Sequence, residues 1–224
     1  MNNSLKAIVV AVLFFSAGAC AQEANNTNVA PHRSIKDQTI VSQALPKATL
    51  TVAEDFRFIG TQQVNLYGNA DAEQYLFVKS GPHGSVDRFY WVQFEHFLPT
   101  NKLTYNYDWK CTMQLGGLPF VCDVKTWPNF ATLLADDAAS DGAAIERLLK
   151  KHDLFLPQRT ALVRLFHLPT TDRRTELMII YGEALPQQSP VPVREGGVDL
   201  NAESASSART FLDRARRGFI VRTQ

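Results

Sequence analysis

Residues 86–107 read VDRFYWVQFEHFLPTNKLTYNY, the densest aromatic segment of the chain. Read with the two-residue period of a strand, residues 86–98 separate into two faces. One face holds Tyr90, Val92, Phe94, His96 and Leu98, and the other holds Phe89, Trp91, Gln93, Glu95 and Phe97. β-Branched and aromatic residues suit a pleated surface, and neither face is plainly polar. We therefore predict an interior strand of an antiparallel sheet, covered on both sides.

Further strands are predicted on both sides of this segment. Residues 49–80 alternate apolar and polar side chains, with Gly, Asn and Pro at the turns between them. Residues 160–168 and 176–183 predict a second hairpin, and residues 103–109, LTYNYDW, predict one more strand. Short turns between consecutive strands are typical of a meander.

The pattern changes to helical spacing after residue 124. Pro128 is expected in the first turn of a short helix, where its missing N–H is tolerated. Residues 142–152 predict a second short helix, and residues 202–217 predict the best-formed helix of the chain. We therefore expect an α+β fold: a curved antiparallel sheet of about six to seven strands in meander order, covered by two short helices and a C-terminal helix.

Composition suggests one folded domain with flanking segments. The 224 residues are 45% hydrophobic, which is enough for a real core. The net charge of +1, with acids and bases interspersed, gives no indication of nucleic-acid binding. The expected segments are a signal peptide at 1–21, a flexible leader at 22–47, a single α+β domain at 48–186, a Pro/Gly linker at 187–201, and a C-terminal helix at 202–224 that packs on the domain or on a partner. Within the leader, residues 39–44 have a strand or a short helix as the alternative.

The first 21 residues have the three parts of a secretory signal peptide. A short start with one basic residue precedes apolar residues 7–15, which are too few to span a bilayer as a helix. Cleavage after Ala21 predicts a periplasmic or secreted protein. Residues 17–20 alternatively resemble a bacterial lipobox with Ala17 in place of the usual Leu. In that case Cys20 is lipidated, the protein is anchored at the outer membrane, and only then is membrane contact expected.

Cysteine usage also indicates export. Loss or lipidation of Cys20 leaves Cys111 and Cys122, and two cysteines in an oxidising compartment predict a disulfide. The residues between them include Gly116 and Gly117, so the segment can turn back on itself as a hairpin or loop. A redox-active pair is not favoured, because the C-x-x-C spacing is absent.

Most motifs that carry chemistry are missing. The sequence has no G-x-S-x-G, no H-E-x-x-H, no Walker loop and no zinc-type cysteine set. Residues 137–142 share three positions with a calcium loop but lack carboxylates at two others, so we interpret them as a helix cap. No metal and no cofactor is expected.

Five residues are candidate ligand contacts: Trp91, Gln93, Glu95, His96 and His167. Polar groups among aromatic side chains orient bound molecules, which singles out the face that carries Trp91. The alternative is that Gln93 and Glu95 simply reach solvent. His96 and His167 are each expected on an apolar face, where a buried imidazole needs a backbone or ligand partner. Only their convergence would indicate a metal or acid–base site.

Arginines are the remaining candidates for charged contacts. Arg57, Arg88 and Arg164 lie on predicted strands, where they are expected to pair with Glu95 or Glu176 or to meet an acidic ligand. The C-terminal helix ends in three further arginines that suit the helix dipole, with anionic lipid or a partner as the alternative: Arg214, Arg216 and Arg217.

The expected function is a non-enzymatic bacterial envelope protein that binds an apolar or amphipathic small molecule between sheet and helices. Two alternatives remain: a hydrolase-type enzyme with a nonlocal histidine and carboxylate site, and an interaction or assembly module that binds a protein partner through the C-terminal helix. A cavity lined by Trp91 and Phe94 favours the first function. Histidine and carboxylate within hydrogen-bond reach favour the second, and an exposed apolar patch on the helix favours the third.

Overall fold

The computed structural model describes residues 32–109, 111–186 and 206–223. The predicted signal peptide, Cys20, the linker at 187–201 and residues 202–205 lie outside these ranges. The strands are β1 (Arg33–Lys36), β2 (Thr39–Ser42), β3 (Ala48–Val52), β4 (Arg57–Leu66), β5 (Ala70–Ser80), β6 (Val86–Phe97), β7 (Cys111–Leu115), β8 (Leu118–Trp127), β9 (Thr160–His167), β10 (Thr175–Ala184) and β11 (Phe219–Thr223). The helices are α1 (Phe130–Ala135), α2 (Asp141–Lys150) and α3 (Ser206–Arg217), and a short 3₁₀ turn lies at Pro82–Gly84.

The strands form two antiparallel sheets. The larger sheet has seven strands in the order β4-β5-β6-β10-β9-β8-β7, and the smaller has four in the order β1-β2-β3-β11. The meander β4-β5-β6 and the hairpin β9-β10 follow the predicted segments. The α+β fold with a curved antiparallel sheet and three helices is therefore confirmed.

Both faces of the seven-stranded sheet are covered, as its interior strand β6 predicts. On one face, called the helix face, Phe89 and Trp91 are buried in a cluster with Ile145 of α2 and Phe130 of α1. On the other, called the small-sheet face, alternate β6 residues are buried with β2, β3, β11 and α3: Tyr90, Val92 and Phe94. Two-sided burial explains why neither set of β6 side chains is plainly polar.

Helix α3 packs on the domain through the apolar stripe predicted for it. Ala208, Phe211, Leu212 and Ala215 are all buried, and the Tyr90 hydroxyl donates to the carbonyl oxygen of Ala215 over 2.8 Å. The chain then turns into β11, which pairs with β3. The apolar side of α3 is therefore used within the protein. None of the helices in the described ranges is long and apolar enough to cross a membrane.

Two segments differ from the sequence prediction. Residues 103–109 are not a strand but an irregular stretch within residues 101–109, which we call the aromatic strap. The backbone of β6 is already paired with β5 on one side and β10 on the other, so the strap cannot pair with β6 as a further strand. Residues 33–36, in the segment predicted to be a flexible leader, form β1. They pair with β2 at residues 39–42, where the sequence allows a strand, and Ile40 of β2 is buried in the core beside β3.

The short helices begin close to their predicted positions. Pro128 lies outside α1, one residue before its N-cap Asn129, rather than in the first turn. Helix α2 is capped by Ser140, whose hydroxyl oxygen accepts the N–H of Ala143 over 3.1 Å. This bond confirms the interpretation of residues 137–142 as a helix cap.

The two remaining cysteines form the predicted disulfide. Cys111 and Cys122 lie opposite each other on β7 and β8, with their Cα atoms 5.0 Å apart. Gly116 and Gly117 connect the two strands with φ angles of +56° and +85°, values that favour glycine. The bridge therefore closes a hairpin at the edge of the larger sheet.

Candidate functional site

The three candidate residues on the helix face of β6 form one hydrogen-bonded row. Trp91 Nε1 donates to Gln93 Oε1 over 3.1 Å, and Gln93 Nε2 donates to Glu95 Oε2 over 2.6 Å. From β5, Gln74 Nε2 also donates to Gln93 Oε1, over 2.8 Å. Gln74 and Gln93 are fully buried. Trp91, Gln93 and Glu95 lie in one row because alternate residues of a strand share a face. The side-chain amides of Gln74 and Gln93 are hydrogen-bonded because buried polar groups need a partner.

A second carboxylate completes the row. Glu176 of β10 is the register partner of Glu95 on β6, and it is only 3% exposed. The strap supplies one hydroxyl to each: Tyr105 donates to Glu95 Oε1 over 2.7 Å, and Tyr107 donates to Glu176 Oε2. Two neighbouring carboxyl groups are therefore sealed under two tyrosines, and we call these four residues the carboxyl–tyrosine cluster.

Burial decides the protonation of this cluster. It raises the pKa of Glu176 to about 8, with the charge of Glu95 adding to the rise and the Tyr107 hydrogen bond opposing it. Burial also raises the pKa of Glu95, against hydrogen bonds from Tyr105 and Gln93. Glu176 is therefore largely protonated at neutral pH. Burial disfavours its charged form, and the nearby charge of Glu95 repels a second negative charge.

The strap is held in place from the other side by the turn between β9 and β10. The N–H of Tyr105 donates to the carbonyl oxygen of Arg173 over 2.8 Å, and Arg173 Nε donates back to the carbonyl oxygen of Tyr105 over 2.8 Å. Tyr107 stacks on Phe166 of β9 with ring centroids 4.3 Å apart. These contacts fix the position of Tyr107 between the buried cluster and the protein surface.

A cleft of about 710 Å³ opens next to Tyr107, at the ends of β7, β8 and β9. Its apolar lining comes from both faces of the sheet, because it lies where the strands end: Met113, Pro119, Val121, Phe166 and Leu168. Its polar lining is smaller in area: Thr112, Gln114, His167, Thr170, Thr171 and Arg173. A concave surface that joins apolar side chains with several polar groups suits a small amphipathic molecule.

His167 is the predicted candidate that lines this cleft. Its Nδ1 lies 2.8 Å from the carbonyl oxygen of Pro119, and its ring lies 5.5 Å from that of Phe120. Burial lowers the pKa of His167, so the neutral ring donates through Nδ1 to the carbonyl. The Nε2 atom then remains as an acceptor for another group.

His96 does not have the buried environment expected for it. It is exposed, because burial on the small-sheet face of β6 stops at Phe94 and the strand ends at Phe97. His96 and His167 are separated by β10, about 10 Å across the sheet. The two histidines therefore do not converge. Trp91 and Phe94, each 3% exposed, lie on opposite faces of the sheet and do not share a cavity.

Several residues of the site were not found from the sequence. The sequence predicts a strand at Tyr105 and Tyr107, and it indicates Glu176 only as a partner for an arginine. Arg164 pairs with Asp123 of β8, its register neighbour. The alternating tyrosines of LTYNYDW are the one signal in the sequence for this part of the site. The sequence does not indicate that they bind Glu95 and Glu176. Within the described ranges, no three or more His, Cys, Asp and Glu residues form a group that could hold a metal ion.

Comparison of the chain with protein-family models, with curated proteins and with solved structures found no match. The function proposed below therefore rests on the geometry of the cleft and of the carboxyl–tyrosine cluster.

Proposed function

We propose that this chain is an exported, non-enzymatic binding protein that holds an amphipathic small molecule in the cleft at the ends of β7, β8 and β9. The observation that carries this proposal is the cleft itself. Its volume of about 710 Å³ falls within the range of about 300–1,000 Å³ that is usual for small-molecule sites. The proposed site lies beside the strap, not between the sheet and the helices as the sequence suggested.

The lining indicates how such a ligand would lie. Val121 and Phe166 offer apolar surface for a hydrocarbon or aromatic body. Gln114 and Thr170 offer hydrogen-bonding groups, and the Nε2 atom of His167 can accept a hydrogen bond from a hydroxyl or acid group. An apolar body with one polar head satisfies both surfaces, whereas a fully polar ligand would leave the apolar lining without a partner.

Export is supported by two features. The N-terminal 21 residues have the composition of a signal peptide, and the Cys111–Cys122 disulfide is typical of oxidising compartments. We propose a periplasmic or secreted location, with an outer-membrane anchor as the alternative if Cys20 is lipidated.

The test uses a fluorescent amphiphile, 1-anilinonaphthalene-8-sulfonate, added to purified protein that has been stripped of ligand by organic extraction and refolded. Gln114→Trp places an indole in the cleft. The matched control is Gln63→Trp, because Gln63 is also an exposed glutamine on an edge strand, but at the opposite edge of the sheet.

We expect saturable binding by the wild type and by Gln63→Trp. In Gln114→Trp the dissociation constant should rise by at least about tenfold, a change of about 1.4 kcal/mol. Equal affinities in the two variants, or no saturable binding by the wild type, would remove the support for this site.

The second candidate function is a hydrolase-type enzyme. The register pairing of Glu95 with Glu176 favours it, because a protonated carboxylic acid beside a second carboxylate can serve as a general acid and base. We rank the enzyme second because Glu176 is buried under Tyr107, where a substrate does not reach it. Turnover of chromogenic esters or glycosides that disappears in Glu176→Gln, with dye binding retained, would favour the enzyme.

A further inference from the structure

A second hollow, of about 240 Å³, lies where α3 ends and meets β6, β10 and the segment before β4. It is on the small-sheet face, and it shares no lining residue with the cleft beside Tyr107. Three arginines from two elements line it: Arg88 from β6, and Arg214 and Arg217 from the last turn of α3. One carboxylate, that of Asp55, also lines it.

Each acid near this hollow already has a cation partner, and for Glu183 that partner is Arg214, which itself lines the hollow. Asp55 Oδ2 accepts a hydrogen bond from Lys79 Nζ over 2.8 Å. Glu183 Oε2 accepts one from Arg214 Nε over 2.7 Å. In the part of the chain that the structure describes, neither Arg88 nor Arg217 has a carboxylate within ion-pair distance. The lining therefore carries an excess of positive charge.

The aromatic wall of the hollow is fixed. The Tyr90 hydroxyl donates to the carbonyl oxygen of Ala215, and its ring packs against Phe56 and Phe219 at centroid distances of 4.8 and 5.5 Å. The Tyr181 hydroxyl donates to Glu183 over 2.8 Å. Since both hydroxyls are occupied, recognition in the hollow falls to the guanidinium groups.

We propose that Arg88, Arg214 and Arg217 form a binding site for a phosphate group. Planar guanidinium groups bind phosphate oxygens through paired hydrogen bonds, and the hollow has room for a phosphate or a small phosphate ester but not for a large ligand. The phosphate can belong to a free ester or to a phospholipid head group, because the arginines meet the same oxygens in either case.

The test measures inorganic phosphate binding by calorimetry at low ionic strength, using the whole mature chain. Arg217→Gln removes one cation from the hollow. Its matched control is Arg216→Gln, which removes the same charge from the adjacent exposed position of the helix without lining the hollow. Since both side chains are exposed, neither change should affect folding, and circular dichroism melting checks this.

A parallel arm measures cosedimentation with vesicles of phosphatidylglycerol and phosphatidylcholine. We expect the affinity for free phosphate or for the phosphatidylglycerol vesicles to fall at least about fivefold in Arg217→Gln and to stay within about twofold in Arg216→Gln. The arm that shows this difference identifies the source of the phosphate. Equal losses in both variants would indicate only nonspecific charge attraction, and that outcome, or no binding in either arm, would overturn the proposal.

Discussion

Folding alters the protonation of Glu176, a buried carboxyl group. Its pKa rises from 4.5 to about 8 in the folded protein, so between these values the native state holds a proton that the unfolded chain has released. Stability must therefore fall as pH rises through this window. We expect Glu176→Gln, which cannot ionise and still accepts from Tyr107, to remove much of this slope and to be more stable at pH 9 by on the order of 3 kcal/mol.

Urea unfolding of both proteins at pH 5, 7 and 9 measures this effect. Glu54→Gln is the control, because Glu54 is exposed and its replacement should leave the wild-type slope in place. Parallel stability curves for wild type and Glu176→Gln would contradict the account of the carboxyl–tyrosine cluster.

Gly182 tests the packing of the helix face. It is the register partner of Phe89, and a Cβ built on it would lie 2.0 Å from Cε1 of the Phe89 ring. Gly182→Ala should therefore destabilise the protein by about 1–3 kcal/mol through overpacking. In the double variant with Phe89→Leu, part of that cost should disappear, giving a coupling energy of about 1 kcal/mol in a double-mutant cycle measured by urea unfolding. Additive changes would show that the ring does not lie over Gly182.

At this scale, strand alternation was enough to predict part of the site. Trp91, Gln93 and Glu95 share one face because the period of a strand is two, and that is a local property. The pairing of Glu95 with Glu176 depends on register between distant strands, so no local pattern indicates it. His96 was predicted incorrectly because alternation gives the face of a residue but not the point where the covering layer ends.

At the scale of elements, the aromatic strap shows that alternating side chains do not by themselves indicate a strand. Tyr105 and Tyr107 do turn toward the same side, as in a strand, and donate to Glu95 and Glu176. A strand also needs a free edge, and the edges of the larger sheet are β4 and β7. The strap instead takes its backbone contacts from the turn at Arg173.

The disulfide holds β7 to the sheet edge that borders the cleft. The bridge joins residues eleven positions apart, and closing a loop of that size stabilises by roughly 2–3 kcal/mol in the chain-entropy model. Replacing both Cys111 and Cys122 with Ser should lower the free energy of unfolding by about that amount. It should also weaken ligand binding, because Gln114 and its neighbours on β7 would be held less firmly.

Urea unfolding and dye titration of the double serine variant measure the two effects, and reductant should change neither in that variant. Unchanged stability together with unchanged affinity would show that β7 is held by its hydrogen bonds to β8 alone.

At the scale of the whole molecule, one large sheet is covered by two different layers. Strand β10 lies at its centre and is buried along most of its length, which fits the long apolar run LMIIY. The fold class, the meander and the second hairpin were predictable because each depends on short connections. The four-stranded sheet was not, because it pairs residues near 50 with residues near 220 and its strands are only four or five residues long.

The most direct test of a bound amphipathic ligand is native mass spectrometry of the protein isolated from its own cells without detergent. Wild type and Gln63→Trp should carry the same reproducible additional mass, released by organic extraction, and Gln114→Trp should lack it. The covalent mass in the same spectrum reports lipid on Cys20 and the oxidation of Cys111 and Cys122. A wild-type protein at its apo mass, or the same adduct on all three proteins, would contradict ligand binding in the cleft.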